Sequence, residues 1–280
     1  MNRPRSHRHL LLAGGTVLTM DSDRSVIEGD VLVTDGRIAA VGAITDPPPA
    51  TRLLDAAGCW ILPGLVGAAR PELSLLAGCG DDTTRLMEHH DEESLYWSGV
   101  VVAAEALRSG VTCLAVSSGE VALLRGLDDA GVRRIAARDH DPVPVGGNSG
   151  DWSTPAAGQF PWERMRTMVR EGETPAAALA SLTSVSGGER GGSDPGSVEP
   201  GRMGDLVVLA DSGPAPASGD PHKDCVARGG RDSVRWVIVD GEIVFAGGRF
   251  PRLHPGELES EPGRQRAAMF RRAGSPGRSD

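Results

Sequence analysis

A chain of 280 residues with 39% hydrophobic side chains is long enough for one large domain, or two smaller ones, around a buried core. Its formal net charge of −9 argues against a general polyanion-binding role, so no nucleic-acid partner is expected. No stretch approaches the roughly 20 apolar residues that span a bilayer, so no membrane partner is expected and the cytoplasm is the expected location.

The N-terminal arginines Arg3, Arg5 and Arg8 precede the apolar stretch 10–18, but two glycines break that stretch and no small-residue cleavage site follows. We therefore expect a first β-strand over residues 10–19, behind a basic leader. A second strand is expected over 29–34, with Asp35-Gly36 as a two-residue hairpin turn into a third strand over 37–41. Pro47-Pro48-Pro49 reads as a rigid link and residues 52–55 as a short strand. The stretch 61–73, Ile-Leu-Pro-Gly-Leu-Val-Gly-Ala-Ala-Arg-Pro-Glu-Leu, reads as one buried strand entering a barrel.

Over residues 91–109, Leu95, Val102, Ala103, Ala106 and Leu107 fall on one helical stripe, with Gly110 as the stop. Residues 111–116 form a buried strand, 120–130 a helix and 131–137 a third strand of this region. A strand is expected near 142–149 and helices over 161–170 and 175–183. Residues 200–209 and 234–245 return to strands, the latter folded at a second hairpin turn, Asp240-Gly241. The tail from Arg252 is expected to be polar and frayed, with at most a short amphipathic helix around 267–270.

The segment 61–73 resembles the first barrel strand of the amidohydrolase superfamily, in its cytosine-deaminase-like and chlorohydrolase-like branch. There Leu-Pro-Gly-Leu-Val is followed by His-x-His, and the two histidines bind the catalytic metal. The flanks fit the same family. Residues 14–42 resemble one half of its small β-sandwich, and "EPGRMGDLVVL" and "VRWVIVDGEIV" resemble the other. Residues 105–116, "EALRSGVTCLAV", resemble its second barrel strand, with Val116 about where an acidic residue often stands. Residues 142–149 resemble the last barrel strand, with Asn148 in place of the aspartate that serves the metal water.

The resemblance implies an α/β fold: a composite β-sandwich built from both chain ends plus a truncated TIM-like barrel. The expected parts are residues 1–60 and 200–250 for the sandwich halves, 61–199 for the barrel and 251–280 for the tail. A complete barrel takes about 250 residues, and the stretch 61–188 has room for about half of that. The absent strands would carry two further histidines of the metal site.

Intact members use zinc or iron to activate water and hydrolyse non-peptide C–N bonds, as in deamination of amino-heterocycles. Here the first two ligand positions hold Ala69 and Pro71, which offer no lone pair, and Asn148 is neither a strong ligand nor a general base. No metal or other cofactor is therefore expected. The expected function is a degenerate amidohydrolase acting as a binding or partner subunit, paired with itself or with a fuller paralogue.

Two alternatives stand beside it. One is an active deaminase with a site rebuilt around His140, Asp139, Asp141 and Asn148; the other is a decayed fragment without function. Asp139-His140-Asp141 also reads as a turn before a proline. His89-His90-Asp91-Glu92-Glu93 is dense in possible ligands, but adjacent histidines on a helix point about 100° apart, and a solvated helix start is the favoured reading. His222 and His254 are expected at the surface. Cys59, Cys79, Cys113 and Cys225 form no C-x-x-C pair and are expected as reduced, mostly buried thiols.

Overall fold

A computed structural model describes residues 7–136, 160–183, 196–211 and 218–274 of the chain. Both chain ends feed one mixed sheet. The N-terminal part contributes β1 (His9–Leu18), β2 (Val26–Thr34), β3 (Arg37–Gly42), β4 (Arg52–Asp55) and β5 (Cys59–Pro63). A second, parallel sheet begins at once with β6 (Leu65–Ala69), followed by α1 (Thr83–Met87) and the long α2 (Glu92–Arg108). β7 (Val111–Val116), α3 (Val121–Ala130) and β8 (Arg133–Ala136) complete it, in the order β6-β7-β8. Then come α4 (Phe160–Arg170), α5 (Pro175–Thr183), β9 (Leu206–Ala210), α6 (Pro221–Arg228), β10 (Val234–Val239), β11 (Glu242–Ala246) and α7 (Pro255–Arg272).

The mixed sheet has eight strands, in the order β11-β10-β9-β5-β1-β2-β3, with β4 also paired to β1. Its seam is β5 against β9, antiparallel from Cys59 opposite Ala210 to Pro63 opposite Leu206. Here the two ends of the chain join. One face gathers Leu10, Val31, Ile61, Val208 and Ile238 into a single apolar cluster drawn from both ends. The other face, with Leu62, Val207 and Val237, packs against the helices and strands of the parallel layer.

Both Asp-Gly turns hold the geometry expected of them. Asp35 and Gly36 have φ of +50° and +80°, and Asp240 and Gly241 +54° and +75°. Positive φ at both central residues matches the right-handed twist of the strands they join.

The expected single strand over 61–73 is two strands. The chain leaves the mixed sheet at Pro63 and enters the parallel sheet at Leu65. At the break, Gly64 N–H donates to the Asp205 carbonyl oxygen at 2.9 Å, and Leu65 N–H to that of Gly110 at 3.1 Å. A Cβ on Gly64 would lie 2.0 Å from Thr112 Oγ1, so only a bare backbone fits where the two sheets meet.

The helices follow their sequence signals closely. Asp91 caps α2 in a reciprocal box: Ser94 N–H donates to Asp91 Oδ1 at 2.9 Å, and Asp91 N–H to Ser94 Oγ at 2.8 Å. Two glycines let α2 and α3 touch backbone to backbone. A Cβ on Gly99 would meet the Leu123 carbonyl oxygen at 2.2 Å, and one on Gly126 the Tyr96 carbonyl oxygen at 2.2 Å.

The tail departs from expectation. Instead of fraying, α7 runs for 18 residues and docks on α2. Its Met269 is fully buried with Leu75, Leu76, Leu86, Trp97 and Val100. Spaced apolar residues inside an Arg- and Glu-rich sequence hid this helix, because a stripe of Leu258, Met269 and Phe270 is too thin to stand out without its partner surface. Among the described residues no helix is long and apolar enough to cross a membrane.

Candidate functional site

In folds of parallel strands alternating with helices, reactive groups collect where the strands end. The register makes those ends a row. Ala69 at the end of β6 is paired with Val116 at the end of β7, and Val116 with Ala136 at the end of β8. The row is methyl and isopropyl groups throughout. Ala69 and Val116 are buried, whereas Ala136 is exposed.

Just beyond it, Arg70 is exposed and Pro71 opens a 3-10 turn, Pro71–Leu76. On the neighbouring strand Ser117 is exposed and Ser118 accepts from Glu120 N–H at 3.3 Å. A divalent metal needs about three converging N, O or S donors. The side chains of this row supply none, and among the described residues no three His, Cys, Asp or Glu side chains cluster where an ion could be held. The described residues at these strand ends do not fit a catalytic metal. Asp139, His140, Asp141 and Asn148 lie outside the described residues, as does the strand expected near 142–149.

The dense acidic and histidine stretch resolves into separate parts. Glu92 and Glu93 are exposed in the first turn of α2, as expected of a solvated helix start. His90 is turned inward, contrary to that reading. Its Nε2 lies 2.8 Å from the Glu72 carbonyl oxygen and its Nδ1 3.1 Å from Ser94 Oγ. Burial holds its pKa below the usual imidazole value; Glu72 and Asp91 pull the other way, and Arg272 adds to the burial effect.

Burial alone would raise the Asp91 carboxyl. Hydrogen bonds from Ser94 and the Arg272 charge outweigh it, leaving Asp91 below its usual value. No local sequence signal marked His90, because its partners come from an earlier turn as well as its own helix.

His222 also corrects the sequence reading. It is buried, 8% exposed, where a surface position was expected. The polar stretch around it forms α6, capped by Asp220, which accepts from His222 N–H at 2.9 Å and turns the ring inward. Burial lowers its pKa, Asp220 raises it in part and Arg24 lowers it further. His254 is exposed, as expected.

The four cysteines are all free, with Cys59, Cys113 and Cys225 buried. Complete enclosure pushes the Cys225 thiol far above its ordinary range, and Asp211 adds to the effect. It is no nucleophile.

No family model matches the chain. Among curated proteins, a 5-methylthioadenosine/S-adenosylhomocysteine deaminase of Syntrophobacter fumaroxidans is 37% identical over 122 residues, 38% of this chain and 28% of the relative. Another of that name, from Symbiobacterium thermophilum, is 35% identical over 156 residues, 50% of this chain and 35% of the relative. Among solved structures, a zinc-bound adenosine deaminase from Xanthomonas campestris superposes with a TM-score of 0.72 at 14% identity, over 96% of this chain and 100% of that one. A zinc complex of atrazine chlorohydrolase from Arthrobacter aurescens gives 0.71 at 12% identity, over 92% and 100%.

Over the matched stretches these likenesses support kinship with the amidohydrolase superfamily. Those stretches span about a third of the length of the two curated relatives. The likenesses to solved structures, at 12% and 14% identity, are likenesses of fold. At the strand ends where the resemblance implies metal ligands, this chain carries the Ala69–Val116–Ala136 row.

Proposed function

We propose that this chain is a degenerate amidohydrolase: a protein that keeps the family framework, has lost metal-dependent hydrolysis, and serves as a binding or partner subunit. The observation that carries the reading is the strand-end row Ala69–Val116–Ala136, followed by Pro71. A methyl group and a ring-closed amide nitrogen cannot ligate a divalent ion, and without the ion nothing lowers the pKa of water to near neutrality.

The barrel in this reading is truncated. Between the end of β8 at Ala136 and the start of α4 at Phe160 lies only the stretch 137–159. A single βαβ unit takes about 30 residues or more, so four further units have no room there. The two ends, joined at β5 and β9, are read as a composite β-sandwich beside it. An open set of parallel strands presents pairing edges that closed barrels avoid. A second copy of this chain, or a fuller amidohydrolase, is the partner we assign to it.

The deaminase names of the relatives favour one rival, in which a site rebuilt around Asp139, His140, Asp141 and Asn148 still removes an amino group from a purine compound. One experiment separates the two. The full chain is incubated with zinc or iron(II), freed of excess metal, and analysed for bound metal, mass in solution, and release of ammonia from 5′-methylthioadenosine, S-adenosylhomocysteine and adenine. The degenerate reading expects substoichiometric metal, no ammonia and a mass above that of one chain. Stoichiometric metal and ammonia release, both abolished in His140→Ala, would replace it with the rival.

A further inference from the structure

We propose that α7 is a pH-dependent strap across the turn that follows β6, closed while His90 is neutral and released when its imidazole takes up a proton. The contacts that build it run without a gap from one element to the next. A backbone carbonyl only accepts, so His90 Nε2, 2.8 Å from the Glu72 carbonyl oxygen, carries the ring hydrogen. Nδ1 is then an acceptor, 3.1 Å from Ser94 Oγ, whose one hydroxyl hydrogen it shares with the Asp91 carbonyl oxygen, also at 3.1 Å. A single ring thereby ties the Pro71–Leu76 turn to the first turn of α2.

The strap grips the two residues flanking His90 from outside. Arg272, in the last turn of α7, donates Nε to the His89 carbonyl oxygen at 2.9 Å and places Nη1 2.5 Å from Asp91 Oδ2. Arg85 Nη1 meets the Ala273 carbonyl oxygen at 3.2 Å, fastening the end of the helix to α1. Beneath these polar contacts Met269 is buried among Leu75, Leu76, Leu86 and Trp97. Opening the strap therefore uncovers an apolar patch next to the strand-end row.

Three charged groups face His90: Glu72 on the turn, Asp91 on its own segment and Arg272 on α7. A proton arriving on Nδ1 leaves the Ser94 hydrogen to the Asp91 carbonyl oxygen and sets a second, poorly hydrated cation within reach of the Arg272 charge. Asp91 and Glu72 compensate in part, but the ring is largely out of water. In the released state the imidazole is solvated and Arg272 swings away, so that state binds the proton more readily. Linkage then gives the direction: the closed form is fully favoured above about pH 6.5, the ordinary imidazole value, and loses ground as the pH falls through it. This device does not depend on whether the protein hydrolyses anything.

Amide hydrogen exchange on the full chain at pH 7.5 and 5.5, corrected for the intrinsic pH dependence of exchange, tests it. The expected result is a several-fold loss of protection at pH 5.5 in residues 255–272 and 70–76, with β10 and β11 unchanged. In His90→Asn, which keeps a neutral side chain able to donate to Glu72, the difference between the two pH values disappears. In Arg272→Gln, α7 is loosened at both and the difference shrinks. Should His90→Asn fail to fold, the ring titration of His90 in the native chain, followed by NMR, must share its midpoint with the loss of α7 protection. Equal protection of α7 at both pH values, a parallel loss in β10 and β11, or an undiminished difference in His90→Asn would overturn the proposal.

Discussion

Arg133 grips Asp205 with two parallel hydrogen bonds, Nε to Oδ2 at 2.6 Å and Nη2 to Oδ1 at 2.9 Å. The Asp205 side chain is fully buried, while the Arg133 side chain keeps 24% of its surface exposed. Asp240 N–H adds a third donor to Oδ1 at 2.7 Å. The pair joins β8 of the parallel sheet to the approach of β9 in the mixed sheet, 72 positions away. Next to it, the Asp205 carbonyl oxygen receives Gly64 N–H at the break between β5 and β6.

Arg133→Met strands a buried carboxylate with only backbone help, and should destabilise the fold by about 3–5 kcal/mol. Asp205→Asn keeps an oxygen for Asp240 N–H but loses the charge-assisted pair, and should cost less, about 1.5–3 kcal/mol. Urea unfolding followed by circular dichroism reads both. Equal, small effects would mean the pair does not hold the two sheets together.

The crossing of α2 and α3 makes a sharper demand. Gly99→Ala or Gly126→Ala puts a methyl carbon 2.2 Å from a carbonyl oxygen of the facing helix, and backbone cannot yield as a side chain does. Despite the gain in helix propensity of about 1 kcal/mol that alanine brings, each change should lower stability by about 2–3 kcal/mol through overpacking. A higher thermal midpoint in either variant would show that the helices can part at no cost.

His222 predicts a pH effect of definite sign. Burial depresses its pKa in the fold, so above about pH 6.5 both folded and unfolded chains hold it neutral and its contribution is constant. As the pH falls through that value the unfolded chain gains the proton first, and stability drops until the lower folded value is passed. The urea midpoint at pH 5.5 should therefore lie below that at pH 7.5, and His222→Asn should remove part of the difference. His90 titrates in the same direction but acts on α7 rather than α6, so the two substitutions should add.

Met269 anchors α7. Met269→Ala leaves a cavity among Leu75, Leu76, Leu86 and Trp97 and should cost about 2–5 kcal/mol if the site does not collapse. Because α7 is held by a thin apolar stripe, the loss should show first as rapid amide exchange in residues 255–272, and only then in the global transition. Retention of native protection in that segment would mean that the Arg272 contacts alone hold the helix.

Some of this architecture can be read locally. Asp-Gly at 35–36 and 240–241 dictates hairpins because so few residue pairs accept positive φ twice. The stripe of Val102, Ala103, Ala106 and Leu107 fixes a helix and its inner face, and the run 111–116, apolar but for Thr112, is a strand buried on both sides. What stands at positions 69 and 71 is likewise plain from the chain alone. Harder to see were the inward turn of His222 and the docking of α7, whose polar neighbours look solvated until an N-cap or an opposing helix gives them somewhere to point.

The sequence by itself thus determined the hairpins, the helical stripes, the kinship of the two chain ends and the absence of donor atoms at positions 69 and 71, since each depends on neighbours a few residues apart. Only the tertiary structure decided that the strand would break at Gly64, that Ala69, Val116 and Ala136 would align in one row, and that Arg133 would find Asp205. Register across strands and pairing between distant charges come from burial shared over long loops, and no local period of side chains encodes them.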